Sequence, residues 1–331
     1  MRWPKMRWLA VLGTCYALMA GPAGAVGFQW QSAPDPDDKP LEVALWYPSD
    51  APVAPQTLGL SQQSVAVGGP IAGGLHPLIV ISHGTGGWAG GHYDTALALA
   101  EAGFIVTAVT HTGDNYRDQS YAFTWRNFTD RPRHIARVID YVLGAWPGRD
   151  HVDPARIGMF GHSAGGATVV LVTGGVLDLD LVAAFCPAHP DDWACAQIKQ
   201  RGGARIAPPA TPVVWVHDGR IKAAAAAAPA VGYGFTRAGL AAVTLPLQIW
   251  RAAEETIVVD EWNTAFVRRE LPNPPDDRLV PGAGHFSFLA PCSAGLAAVA
   301  PEICRDPPGF DRAAFHQTFN QALIAFFEAR L

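Results

Sequence analysis

The stretch Ile157-Gly158-Met159-Phe160-Gly161-His162-Ser163-Ala164-Gly165-Gly166 decides how the rest of the chain reads. A short strand-like run leads into a serine with a glycine two residues to either side, and Ala164 to Thr173 continue with helical character. Strand, tight turn and helix are the setting in which G-x-S-x-G presents a nucleophile. The turn strains the serine backbone, the glycines remove Cβ atoms that would collide, and the hydroxyl is held clear of the chain. A purely structural turn is the competing reading of the motif.

Outward from this turn, short apolar runs alternate with longer stretches of helical periodicity, which is the pattern of an α/β protein. Strands are expected at Leu41 to Tyr47, Leu78 to Ser82, Phe104 to Val109, Ile157 to Phe160, Leu247 to Trp250 and Arg278 to Val280. The unbroken apolar runs suit a mostly parallel sheet covered on both faces. Helices are expected over His92 to Ala102, Pro132 to Trp146 with Asp130 near its start, Ala164 to Thr173, Asp260 to Leu271, and Asp311 to Arg330. In the last, Phe315, Phe319, Leu323, Phe326 and Phe327 fall on one stripe. The six alanines Ala223 to Ala228 have high helix propensity, but the bracketing Ile221 and Pro229 leave a length better suited to a strand. Ala51 to Leu75 and Leu271 to Pro275 read as surface loops, and Gly174 to Gly219 as an inserted cap or lid.

A serine hydroxyl needs a base, and in this chain order a histidine near the end supplies it. His285 fits best, in Gly282-Ala283-Gly284-His285-Phe286 just after a strand. His316 and His151 are weaker candidates, and His83 and His162 fit better as turn-shaping residues. An acid should orient the imidazole. Glu255 is preferred because Ile257-Val258 follow it, with Glu254 second and Asp260, Asp218 or Asp191 behind. The oxyanion donors are expected to be the amide of Ala164 and, from the glycine-rich turn His83-Gly84-Thr85-Gly86-Gly87, that of Thr85 or else Gly86. That turn lacks the spacing of a nucleotide-binding loop. Trp88, Trp125 and Trp250 are candidates for lining a substrate pocket, against the alternative that they are core residues.

The whole-chain arithmetic narrows the function classes. Arg2, Lys5 and Arg7, the apolar run Trp8 to Ala20 and Ala23-Gly24-Ala25 read as a cleavable export signal over residues 1–25, cut after Ala25. A lipoprotein signal at Leu12-Gly13-Thr14-Cys15 is disfavoured by Thr14 and by the apolar residues that follow. The remaining 306 residues (331 − 25), at 26–331, read as one soluble domain in the secreted or periplasmic space, with no further apolar run long enough to span a membrane. Removing three positive residues takes the net charge from −5 to −8 (−5 − 3), which argues against nucleic-acid partners. Cys186, Cys195, Cys292 and Cys304 allow three pairings, of which 186 with 195 and 292 with 304 close the shortest loops. No CxxC, HExxH or EF-hand spacing occurs, and neither metal nor cofactor is expected.

The His83 to Gly87 turn, the Gly161 to Gly166 elbow and Pro281-Gly282-Ala283-Gly284-His285-Phe286 resemble the α/β-hydrolase superfamily. More narrowly, they resemble its exported predicted dienelactone hydrolases, relatives of platelet-activating-factor acetylhydrolases and cutinase-type polyester hydrolases. The likeness covers about residues 26–305 and includes Leu41 to Pro48. It implies an α/β-hydrolase fold, a mostly parallel central sheet flanked by helices with a small inserted cap. It also implies a cofactor-free serine hydrolase acting on carboxylic esters through an acyl-enzyme. Two departures limit the transfer. True dienelactone hydrolases carry cysteine where Ser163 stands, and Ala228-Pro229-Ala230-Val231 lacks the carboxylate that acetylhydrolases of the plasma type place after the sixth strand. The expected partner is a small-molecule or lipid-like ester. The alternatives are an enzyme directed at polyesters or phospholipids, and a non-catalytic binding protein on the same fold.

Overall fold

The structure is a computed structural model that describes residues 24–202 and 209–331. The expected leader lies almost wholly outside the described residues. Among the described residues ten strands run β1 (Ala25–Ala33), β2 (Leu41–Ser49), β3 (Ala54–Leu58), β4 (Ser61–Val67), β5 (His76–Ser82), β6 (Ile105–Thr110), β7 (Val152–His162), β8 (Ile221–Ala227), β9 (Leu247–Ala252) and β10 (Asp276–Val280). They lie in the order β10-β9-β8-β7-β5-β6-β2-β1-β4-β3. From β6 to β10 every pairing is parallel, whereas β2 pairs antiparallel with both β6 and β1. The six parallel strands therefore bring the turns after β5, β7, β8, β9 and β10 to one edge, as such sheets do at their carboxyl ends.

The helices are α1 (Tyr93–Glu101), α2 (Trp125–Gly144), α3 (Ala164–Val172), α4 (Leu179–Ala188), α5 (Trp193–Gln200), α6 (Arg237–Leu240), α7 (Thr264–Glu270), α8 (Ala294–Val299) and α9 (Arg312–Arg330). Alternate residues of each parallel strand serve opposite faces. Leu78, Val80, Ala224 and Ala226 pack with α2 and α3 on one side. Ile79, Ile81, Ala223 and Ala225 pack with α1 and α9 on the other. The alanine run is thus a central strand, where short side chains on both faces leave room for bulky helical ones. Gly158 in β7 has the same function. A Cβ there would lie 2.8 Å from the ring of Phe327, so glycine is what lets α9 approach the sheet.

Three sequence expectations need correction. Helix α2 starts at Trp125, seven residues before Pro132, so Pro132 stands inside the helix rather than at its first turn. The stretch Ala51 to Leu75 is not a plain loop. It forms the β3–β4 hairpin, whose β4 pairs parallel with β1. The helix expected over Asp260 to Leu271 is broken into a 3-10 turn at Asp260–Trp262 and α7, with Asn263 between them. Strand β1, which the sequence reading did not single out, pairs with β2 along its whole length, from Ala25 opposite Ser49 to Ala33 opposite Leu41.

The described part of 174–219 holds α4 and α5, each capped by an aspartate. Asp178 accepts from the amides of Asp180 and Leu181, and Asp192 from that of Ala194. Disulfide Cys186–Cys195 joins the two helices, with Sγ–Sγ 2.11 Å, and Cys292–Cys304 closes a loop before α9, with Sγ–Sγ 2.02 Å. Among the described residues no helix is long and apolar enough to cross a membrane.

Candidate active site

Ser163 joins β7 to α3 with φ 57° and ψ −118°, a left-handed conformation that costs a non-glycine residue free energy. Three backbone hydrogen bonds hold it there. Its N–H donates to Ala227 O at 2.9 Å, and its carbonyl accepts from Ala230 N at 3.1 Å and Ala167 N at 3.0 Å. The flanking glycines are sterically required. A Cβ on Gly161 would stand 2.2 Å from Gly165 O, and one on Gly165 would stand 1.9 Å from Ser82 O. Phe123, Ala228 and Val231 also have positive φ, and all three lie on turns after β6 or β8 at this same edge.

His285 opens a 3-10 turn after β10, and its Nδ1 lies 2.8 Å from Glu255 Oε2. A carboxylate only accepts, so Nδ1 carries the proton and Nε2 is left as the basic nitrogen. Both side chains are under 5% exposed. The other carboxylate oxygen of Glu255 accepts from the amides of Ile257 at 2.8 Å and Val258 at 2.9 Å. Burial acts to raise the Glu255 pKa, but His285 and these two amides outweigh it and hold the carboxyl below its ordinary range. The histidine turn is braced from α9. Gly284 N donates to Ser287 Oγ, which donates to Asp306 at 2.7 Å, and Arg312 grips Asp306. The Ser287 carbonyl accepts from His316, whose other ring nitrogen lies 2.6 Å from Asp94.

The other candidates lie at the far end of the sheet, have other partners or face solvent. His151 lies just before β7, at the opposite end of the sheet, and His316 is occupied in bracing. His83 closes its own turn, with Nδ1 2.6 Å from Gly84 O and Nε2 accepting from His111 N at 3.1 Å. Burial, then the nearby Arg131, lower its pKa well below the ordinary value. His162 Nε2 lies 3.0 Å from the backbone carbonyl of His285. Glu254 points to solvent, Asp260 pairs with Arg251, Asp218 pairs with Arg220 and Asp191 is exposed.

The turn after β5 passes directly beside the serine, since a Cβ on Gly84 would stand 3.3 Å from Ser163 Cβ. Gly86 N–H is already donated to Asp114 Oδ1 at 3.1 Å. The Thr85 and Ala164 amides have no partner among the described residues. The three tryptophans have separate surroundings. Trp250 is a core residue, 7% exposed, edge-on to Phe319 with its Nε1 donating to Gln248. Trp88 packs over Gly59 and Gly90 and stacks on Trp30. Trp125 begins α2, half-buried. Sequence reasoning missed the buried pair Asp114–Arg131 behind the turn after β5 and the bracing pair Asp306–Arg312. For the first a signal existed, because Arg131 lies at helical spacing on the apolar stripe of Ile135, Val138 and Val142. Among the described residues no cluster of histidine, cysteine or carboxylate side chains is suited to a metal ion.

No family model matches the chain, and no curated protein is similar to it in sequence. Its structure is similar to that of a ferulic acid esterase from Streptomyces cinnamoneus, with a TM-score of 0.63 and 17% sequence identity over 94% of this chain and 91% of that one. This likeness bears on the fold alone and adds nothing for the narrower exported branch. The chain has the α/β-hydrolase fold, a large and mostly parallel sheet flanked by helices.

Proposed function

We propose that the protein is a serine hydrolase of carboxylic esters. The observation that carries this reading is the buried Nδ1–carboxylate hydrogen bond between His285 and Glu255, at the sheet edge where Ser163 sits in its strained turn. Ser163 Oγ attacks the ester carbonyl carbon as its proton passes to His285 Nε2, and Glu255 stabilises the resulting imidazolium. The negative oxygen of the tetrahedral intermediate is held by the amides of Thr85 and Ala164. As the carbon–oxygen bond to the alcohol breaks, His285 returns the proton to the leaving oxygen. Water then attacks the acyl-enzyme by the same route, releasing the acid and restoring Ser163.

Helices α4 and α5, clasped by Cys186–Cys195, act as a cap over this edge. Two disulfides support a protein that folds in an oxidising compartment, consistent with export by the leader read in residues 1–25. The decisive test is labelling by a fluorophosphonate probe. Labelling of the wild type that is lost in Ser163→Ala supports the enzyme, and a folded wild type that takes no label supports a binding protein instead. Turnover of a chain-length series of p-nitrophenyl esters, beside a feruloyl ester, a polyester film and an acetylated phospholipid, then assigns the substrate class.

A further inference from the structure

The turn that carries Thr85 is gripped from behind by an ion pair that belongs to neither strand β5 nor helix α3. Arg131, on α2, and Asp114, in the loop after β6, have side chains 3% and 0% exposed and meet with Nη1 to Oδ2 at 2.7 Å. The remaining guanidinium donors reach two other elements. Nη2 donates to the His83 carbonyl in the oxyanion turn, and Nε to Thr168 Oγ1 on α3 at 3.1 Å. Thr168 in turn donates to the carbonyl of Ala164 at 2.8 Å. Asp114 accepts Gly86 N–H on Oδ1 and Asn127 Nδ2, at 2.8 Å, on Oδ2.

A buried ion pair is weak as a device for stability alone, since apolar side chains of similar volume often do as well. This one assigns the polar groups of a turn. The His83 carbonyl goes to Arg131 and Gly86 N–H to Asp114, while the Gly84 carbonyl accepts from His83 Nδ1 and from Gly87 N at 3.1 Å. The Thr85 amide is the donor left over between them. Arg131 also ties that turn to the first turn of α3, where the other free amide, Ala164, lies. Resting on the hydrolase reading above, we propose that Arg131 and Asp114 are a positioning pair that fixes the spacing and direction of the Thr85 and Ala164 amides toward the developing oxyanion.

The pair is tested with Arg131→Met, Asp114→Asn, the charge-neutral double variant of the two, and Thr168→Val, which leaves the ion pair intact. Each is assayed for kcat and KM on a soluble ester, for inhibition by a trifluoromethyl ketone, which forms a tetrahedral adduct on the serine, and for melting temperature. Loss of one oxyanion donor costs about 10²- to 10³-fold in kcat. The double variant is therefore expected to lose kcat on that scale with little change in KM, and to bind the ketone more weakly by a matching factor. Thr168→Val is expected to lose about tenfold, with the same split between kcat and KM. Folded variants that keep wild-type kcat and ketone affinity, or that change only KM, overturn the assignment. Should the double variant fail to fold, the Thr168→Val result decides on the same criteria. A wild type that neither turns over esters nor takes the phosphonate removes the hydrolase reading itself, a failure distinct from an active wild type with unaffected variants.

Discussion

His162 Nε2 lies 3.0 Å from the carbonyl oxygen of His285, so the residue immediately before the proposed nucleophile holds the backbone of its proposed base. A carbonyl only accepts, which places the proton of His162 on Nε2. Burial, and then the neighbouring His285 and His92, push the His162 pKa well below the ordinary histidine value, so the ring stays a neutral donor around pH 7. His162→Phe keeps an aromatic ring, somewhat larger than imidazole, and leaves the carbonyl unpaired, a loss of about 1–3 kcal/mol. The expected result is a tenfold or larger fall in kcat at nearly constant KM, read on a soluble ester together with the melting temperature. Unchanged kcat in a folded variant would show that the tie has no part in placing the base.

Glu255 and its neighbour give a sharp contrast. Glu255→Gln keeps the shape but removes the charge facing Nδ1 of His285, and kcat is expected to fall by about 10³- to 10⁴-fold. Glu254 is exposed, and Glu254→Gln is expected to stay within about twofold of wild type. The two single variants assayed side by side check the assignment, and the reverse ranking would overturn it.

Gly165→Ala puts a methyl carbon 1.9 Å from Ser82 O, a backbone atom of the central strand β5 that cannot move cheaply. A loss of about 1–3 kcal/mol or more is expected, together with loss of phosphonate labelling because the elbow must open. Gly103→Ala offers a control. Unlike Gly165 it stands at positive φ, 100°, and no atom lies near its added carbon, so it pays backbone strain without a clash where Gly165→Ala pays the clash without the strain. Denaturant midpoints of the two variants separate these effects.

Stability should fall steeply on mild acidification. His83, His92, His111, His134 and His162 are buried, and burial is the leading cause lowering the pKa of each, for His92 to about 4. Between the ordinary value near 6.5 and those lowered values the unfolded chain binds more protons than the folded one. Unfolding is therefore favoured as pH drops, by about 1.4 kcal/mol per pH unit for each histidine that is charged only when unfolded. Glu255 and Asp94, whose folded pKa values are depressed, contribute stability that is lost further down, as pH falls below the ordinary carboxylate range. Denaturant midpoints from pH 7 to pH 5 check the histidine part, and a flat profile would contradict it.

The sequence made the parallel strands legible because central strands such as Leu78 to Ser82 are apolar on both faces and need no periodicity to stand out. It hid β4 for the opposite reason. Ser61 and Gln63 are buried and polar, so the alternation that marks a half-buried strand carries no hydrophobic signature. Pro132 misled by its preference for the first helical turn, whereas α2 accommodates it mid-helix. Glu255 could be singled out because Ile257 and Val258 follow it, and their amides are what fix the carboxylate. Arg131 left a local trace on the apolar stripe of α2, but its pairing with Asp114 was out of reach of local pattern, since the two come together only when the loop after β6 and the helix that follows it fold over the end of β5.

Among the described residues the non-glycine positions with positive φ, Phe123, Ser163, Ala228 and Val231, share one rim of the sheet. Each pays roughly 1–2 kcal/mol that a glycine would not. Selection of variants for heat resistance alone would be drawn to these sites, and every success there would slacken the scaffold around the proposed nucleophile. Durability and turnover are set against each other at this rim, and a tougher form of the protein is better sought on the opposite side of the sheet.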